Sequence, residues 1–114
     1  MKVIIAGSRN LKCKDLIFKE LDVMKDKIDE VVCGEARGTD SIGKEWAIKN
    51  NIPVKSFPAQ WDKYGKKAGM IRNKEMGDYA DYLIAFWDGK SIGTKHMFTY
   101  MQQNGKHGKV VIVK

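Results

Sequence analysis

The chain has little proline, little cysteine and little histidine, with two of each among its 114 residues. His96 and His107 have no partner at metal or catalytic-triad spacing and read as surface or packing residues. Cys13 and Cys33 form no CxxC pair or Cys/His cluster, so no metal site is expected, and reduced structural thiols fit a cytoplasmic protein. Pro53 and Pro58 bracket one short strand, and no Pro/Ser-rich linker, repeat or low-complexity tract divides the sequence. Residues 1–114 therefore read as a single domain, large enough to bury roughly two-thirds of the surface its unfolded chain exposes. Between Lys2 and Gly7 lie only four apolar residues, too few for a signal peptide and far too few for a membrane span, so neither export nor a membrane partner is expected.

Acidic residues are also in deficit. Twenty-one Lys and Arg against fourteen Asp and Glu leave a formal charge of +7, which favours an anionic partner such as a nucleotide, a nucleic acid or an acidic protein. The charge is spread out, however. Lys12, Lys14, Lys19, Lys25 and Lys27 are interleaved with acids, and only Lys63, Lys66 and Lys67 form a tight group. A solvated lysine-rich face accounts for the excess as well as a nucleic-acid patch does.

What the chain does contain is three glycine-bearing stretches, each after an apolar run and before a helix-forming segment: Gly7-Ser8-Arg9, Gly34 through Asp40, and Asp88 through Thr94. Glycine permits tight turns and close backbone approach, and a helix N-terminus offers unpaired N–H groups with a partial positive charge, so such loops suit phosphate. Val3 to Ala6 reads as a strand buried on both faces. A helix of about fifteen residues follows, with Ile17, Leu21, Met24 and Ile28 on one face. Val31 to Cys33 is a second strand, and Asp40 can cap a helix that buries Ile42 and Trp46 and ends near Asn50-Asn51. Val54 to Phe57 is a third strand, and Pro58 to Gly69 reads as a long functional loop carrying Trp61 and Tyr64. Met70 to Tyr79 is helical, Tyr82 to Trp87 a fourth strand, Thr94 to Gln103 a helix stopped by Gly105, and Val110 to Val113 a fifth strand.

Alternating strands and helices imply an α/β, Rossmann-like three-layer domain with a five-stranded parallel sheet. In the order 3-2-1-4-5 the loops after strands 1, 2 and 4 meet at the switch point between strands 1 and 4; in the order 2-1-3-4-5 the third loop would stand apart. Clustering of the motifs favours the first order.

Taken singly the motifs are weak, since none matches GxGxxG or a P-loop. Near the start of the third helix, Arg72 can fork onto a phosphate or carboxylate and Asn73 can pair with a base or ribose edge; an ion pair of Arg72 with Glu75 or Asp78 is the plainer alternative. Trp87 and Trp61 could each stack on a base, whereas Trp46 reads as core.

The runs VVCGEARGTDSIGKEWA, FPAQWDKYGKKAGMIRNKEM and ADYLIAFWDGKSIGT, with the GSR before them, closely resemble the small SLOG-superfamily proteins related to YspA, found in bacteria and bacteriophages. The resemblance implies a Rossmann-like domain that binds a nucleotide or nucleotide-derived ligand and requires no cofactor. By that resemblance the ligand site would include Gly7, Ser8, Arg9, Gly34, Gly38, Asp40, Arg72, Asn73, Gly89, Ser91, Gly93 and Thr94, and Thr39, Trp61 and Asp88, from the same loops and the long loop, complete the expected ligand-binding set. The family commonly has Gly-Gly where this chain has Gly34-Glu35, and Ala-Asp-Trp where it has Ala59-Gln60-Trp61.

Compared with the superfamily's nucleoside-monophosphate phosphoribohydrolases, Arg72 and Met76 match the Arg-x-x-x-Met segment and Gly93-Thr94 the second loop, but Met97 stands at the glutamate position. Cleaving an N-glycosidic bond builds an oxocarbenium-like centre that a carboxylate stabilises. Asp88, Asp40 or Glu35 would have to replace it. The reading is therefore a protein that senses, carries or sequesters a small nucleotide ligand. A nucleotide hydrolase and a single-stranded nucleic-acid binder, the latter suggested by the related fold of the DNA-processing protein DprA, are the alternatives. A homo-oligomer is compatible with all three.

Overall fold

Val3, Ile4 and Ile5 follow one another without a polar residue, and a strand places successive side chains on opposite faces, so Lys2–Gly7 (β1) has to be covered on both sides. The structure is a computed structural model that describes residues 1–8, 13–34 and 39–113, the side chain of Asp40 excepted. In it all three of those side chains are fully buried. Strands Glu30–Cys33 (β2), Val54–Ser56 (β3), Tyr82–Trp87 (β4) and His107–Ile112 (β5) complete a five-stranded sheet, every neighbouring pair parallel, in the order β3-β2-β1-β4-β5. This is the order in which the three glycine loops share one edge.

Helices cover both faces. Ile17 and Leu21 of Lys14–Val23 (α1) and Trp46 and Ala47 of Thr39–Lys49 (α2) pack on Val3, Ile5, Val31, Ile84 and Phe86. The opposite face carries Met76 of Ala68–Tyr79 (α4) and Met97 and Met101 of Ile92–Gln103 (α5), packed on Ile4, Val32, Leu83 and Ala85; a short helix, Trp61–Tyr64 (α3), precedes α4. Each fully buried aliphatic side chain contributes roughly 1.5–3 kcal/mol, so the two clusters dominate the favourable side of folding. Trp46 is core, as expected, and its indole N–H donates to Asp22 Oδ1 at 2.8 Å, locking α2 to α1.

Several boundaries differ from the sequence reading. α1 ends at Val23 because Met24 leaves helical geometry (φ −116°, ψ 20°), and Ile28 reaches the same core from an extended conformation (φ −97°, ψ 111°). Periodicity reported which side chains are buried, not the backbone that carries them. α2 opens at Thr39, which places Asp40 inside the first turn rather than at the cap. The span read as a long loop contains α3 and a 3-10 turn, Gly65–Lys67, and α4 begins at Ala68. None of the residues of α3 is buried, so no apolar stripe announced it. α5 starts at Ile92, two residues early, capped by the Ser91 hydroxyl, which accepts from the Thr94 N–H. β5 also starts early, at His107, because an edge strand exposed along nearly its whole length carries no buried pattern.

Gly105 does end α5. It takes φ +69°, and the N–H groups of Gly105 and Lys106 close onto the Gln102 and Met101 carbonyls at 3.1 and 2.9 Å, the paired bonds of a Schellman turn.

Leu21→Ala should cost roughly 2–5 kcal/mol, since it empties a fully buried site, while Val23→Ala two residues away, 79% exposed, should stay within about 0.5 kcal/mol. Urea midpoints with unchanged slopes would measure both, and equal losses would contradict the assignment of the α1 core face.

Candidate functional site

The site is built on the seam between β1 and β4. Ser8, 2% exposed, donates its N–H to the Phe86 carbonyl at 3.1 Å, and its hydroxyl oxygen accepts the Asp88 N–H at 3.2 Å. Its carbonyl in turn accepts from the Thr39 hydroxyl at 3.4 Å. The ends of both central strands and the start of α2 are thus tied through one residue. The contact requires glycine beside it: a Cβ on Gly7 would lie 2.5 Å from Thr39 Oγ1 and 2.6 Å from the Phe86 carbonyl oxygen.

Arg72 comes to this edge from α4. It donates through Nη1 to the Gly34 carbonyl at the end of β2 and through Nε to Asn73 Oδ1 at 3.1 Å. A Cβ on Gly34 would intrude on the guanidinium itself, 2.4 Å from Nη1. Asn73, 5% exposed, is bound inward. Its amide nitrogen donates to the Gly93 carbonyl at 3.2 Å and lies 3.2 Å from His96 Nδ1, so the group expected to read a base or ribose fastens α4 to α5. No spacing rule could have found this contact, because Asn73 and His96 meet across two helices. Burial pushes the His96 imidazole below its ordinary pKa, and the Lys74 ammonium adds to that.

The loop after β4 is folded on itself. Asp88 Oδ1 accepts the N–H groups of Lys90 and Ser91, both at 2.8 Å, Gly89 turns the chain at φ +83°, and the Trp87 indole N–H donates to the Ser91 carbonyl at 3.0 Å. The Lys90 and Ser91 N–H bonds, with help from the Ser8 hydroxyl, hold the Asp88 carboxyl below its usual pKa. A carboxylate stabilised in this way is a weaker base, which counts against Asp88 as a replacement for the missing glutamate. Met97, at the glutamate position, is 1% exposed within the core and reaches no opening. In the first turn of α5 there is space beside Gly93, where a Cβ would meet nothing within 4 Å, while the Thr94 N–H is taken by the Ser91 hydroxyl. The Thr94 hydroxyl lies 3.0 Å from Ser91 Oγ.

Of the expected site residues, the structure brings Gly7, Ser8, Gly34, Thr39, Arg72, Asn73, Asp88, Gly89, Ser91, Gly93 and Thr94 to the ends of β1, β2 and β4 or to the helices that border them. Arg9, Glu35 and Gly38 lie outside the described residues, as does the side chain of Asp40. Trp61 lies on α3, 53% exposed, with its ring beside Gly69 at the start of α4, and Trp87 packs edge-on against Phe98 with ring centres 5.2 Å apart. Among the described residues no group of three or more His, Cys, Asp and Glu could hold a metal ion, and no helix is long and apolar enough to cross a membrane.

Comparison with known proteins agrees with this architecture. A family model for the YspA, cpYpsA-related SLOG family matches residues 1–64. The Gene 61 protein of Mycobacterium phage D29 is 35% identical over 116 residues, covering 91% of this chain and 90% of that protein. DNA processing protein A of Streptococcus pneumoniae superposes with a TM-score of 0.83 at 15% identity over 99% of this chain, which spans 50% of that protein. The Helicobacter pylori protein of the same name, whose structure addresses single-stranded DNA binding, superposes with a TM-score of 0.73 at 19% identity over 100% of this chain and 66% of its own. At such identities the two structural matches establish the fold alone.

Two measurements test the site's construction. Gly7→Ala should destabilise by roughly 1–3 kcal/mol, because a carbonyl on β4 cannot yield, whereas Gly34→Ala should cost less by displacing a flexible guanidinium. If Gly34→Ala proves the more damaging in urea unfolding, the seam is misassigned. Asp88 should titrate below the ordinary aspartate range by carboxyl-carbon NMR. Its folded-state pKa is depressed, so the stability it contributes is present above its unfolded-state pKa and is lost as pH falls through the lowered folded value. Asp88→Asn should flatten that part of the acid profile; a titration at or above the ordinary range would contradict the loop geometry.

Proposed function

We propose, from the premise that this chain belongs to the YspA, cpYpsA-related SLOG family, that it binds a nucleotide or nucleotide-derived small molecule across the C-terminal ends of β1, β2 and β4. The observation that carries this reading is the arrival of the Arg72 guanidinium at the end of β2, on the same edge as the start of α5 and the space beside Gly93. A planar cationic fork and a helix N-terminus are both suited to phosphate oxygens, and the switch point of a doubly wound sheet is where such ligands lie. Binding is favoured over turnover because the described carboxylate nearest the seam, Asp88, is held by its own loop and Met97 is buried.

A second reading, single-stranded nucleic acid, has its own support. Trp61 and Tyr64 are exposed on α3 beside exposed Lys63, Lys66 and Lys67, a combination of stacking faces and cations that suits splayed bases and a phosphate backbone. Lys63 Nζ stands 5.1 Å from the centre of the Tyr64 ring. The fold shared with the H. pylori protein adds to this reading.

Thermal shift against nucleoside mono- and diphosphates, cyclic dinucleotides and ADP-ribose derivatives separates the two. A ligand at a hundredfold excess over its dissociation constant stabilises by about 2.7 kcal/mol, and Arg72→Ala should weaken its binding by roughly 1.5–3 kcal/mol. Binding to a single-stranded oligonucleotide that falls steeply with salt and is lost in Trp61→Ala, together with no response to any mononucleotide, would replace the first reading with the second.

A further inference from the structure

The two edges of the sheet are treated differently. β3 is three residues long, the short edge that resists pairing with another chain. β5 is twice as long, contains no proline, and is exposed at every residue but Val111. Its outward hydrogen-bonding groups can be identified. The Val113 N–H donates to the Trp87 carbonyl at 2.8 Å, and backbone direction alternates along a strand, so residues 109 and 111 also face β4. Gly108, Val110 and Ile112 therefore turn their N–H and C=O groups to the open edge.

Among the described residues, the two lysines at this edge are engaged within their own chain. Lys109 Nζ is 2.6 Å from Glu20 Oε2 of α1. Lys106 Nζ donates to the carbonyls of Gly77, Asp78 and Ala80 at 2.6, 3.1 and 2.8 Å, capping α4. The three outward-facing residues carry no charge, and Val110 and Ile112 are 38% and 57% exposed. From Gly108 to Ile112 the one cation, Lys109, is held by Glu20, so along this stretch two copies of a chain of net charge +7 can approach without an unpaired positive charge.

We propose that two copies of this chain pair antiparallel through β5, joining their sheets into one. The sequence of the edge is self-complementary in one register. With a two-fold axis at Val110, that residue faces Val110 of the second copy, and Gly108 faces Ile112 of the second copy, so the missing side chain makes room for the exposed one. Each outward N–H and C=O from 108 to 112 then meets a partner, as an isologous interface requires.

Sedimentation velocity across the micromolar range should show a concentration-dependent dimer. Val110→Pro, which removes an outward N–H but no bond to β4, and Ile112→Lys should each weaken dimerisation on the order of tenfold or more while leaving the far-ultraviolet circular dichroism unchanged. Amide exchange on the unaltered chain provides a test that needs no variant: Gly108, Val110 and Ile112 should gain protection with concentration, while Lys109 and Val111 are protected throughout. A chain that stays monomeric at the highest concentration, a dimer that survives both substitutions, or exchange at 108, 110 and 112 that ignores concentration would overturn the proposal.

Discussion

Between the last residue of β1 and the first of α2 there is no room for a methyl group, and the architecture around the site follows from that closeness. Because Gly7 lets Thr39 come within hydrogen-bonding distance of the Ser8 carbonyl, α2 starts on top of the central strand. Ser8 then bonds the Phe86 carbonyl and the Asp88 N–H, which aligns the exit of β4 with the exit of β1. Two strands separated by most of the chain therefore end at the same level, and the loops that leave them share one edge. The Asp88 turn, the Ser91 cap and the direction of α5 are set from there.

On the other face the same edge is stiffened by polar contacts between helices. Asn73 joins α4 to α5 through the Gly93 carbonyl and His96, and Arg72 continues the line to the end of β2. These groups have little exposure and are already partnered, which lowers the entropy that a ligand's arrival would have to remove. At the far end of the two helices Lys106 closes three α4 carbonyls from the turn after α5, so the pair is fastened at both ends. The exposed aromatics of α3, with Lys63 and the lysines of the following turn, form a second surface in front of α4.

How much of this could be read from residues alone varied with the physics behind each signal. The strand order followed from Gly7, Gly34 and Gly93 lying after apolar runs, because only one arrangement brings those loops together. Gly105 and Trp46 were legible for similarly local reasons, a left-handed turn and an apolar position in a helix stripe. α3 was hidden because nothing in it is buried, and the true start of β5 because Gly108 and Lys109 have no strand preference of their own. At the site, Ser8 and Ser91 could be named from their loops and Arg72 from its place near a helix start, but the inward turn of Asn73 could not, since its partners come from another helix. The tying of Asp88 to Lys90 and Ser91 was likewise a matter of loop conformation rather than composition.

Synthesis from the N-terminus meets a difficulty in this topology. β1, β2 and β3 emerge early and can pair among themselves, but β1 is the central strand and its second neighbour, β4, begins only at Tyr82. Until then the row Val3-Ile4-Ile5 presents an unpaired, apolar flank on a half-built sheet, the kind of surface that nascent chains expose to one another. The closure of β1 on β4 is a non-local step that must bridge most of the chain, and such steps are slow. Pairing of β1 with β4 is thus the step that both removes this flank and brings together the two strand exits that Ser8 ties.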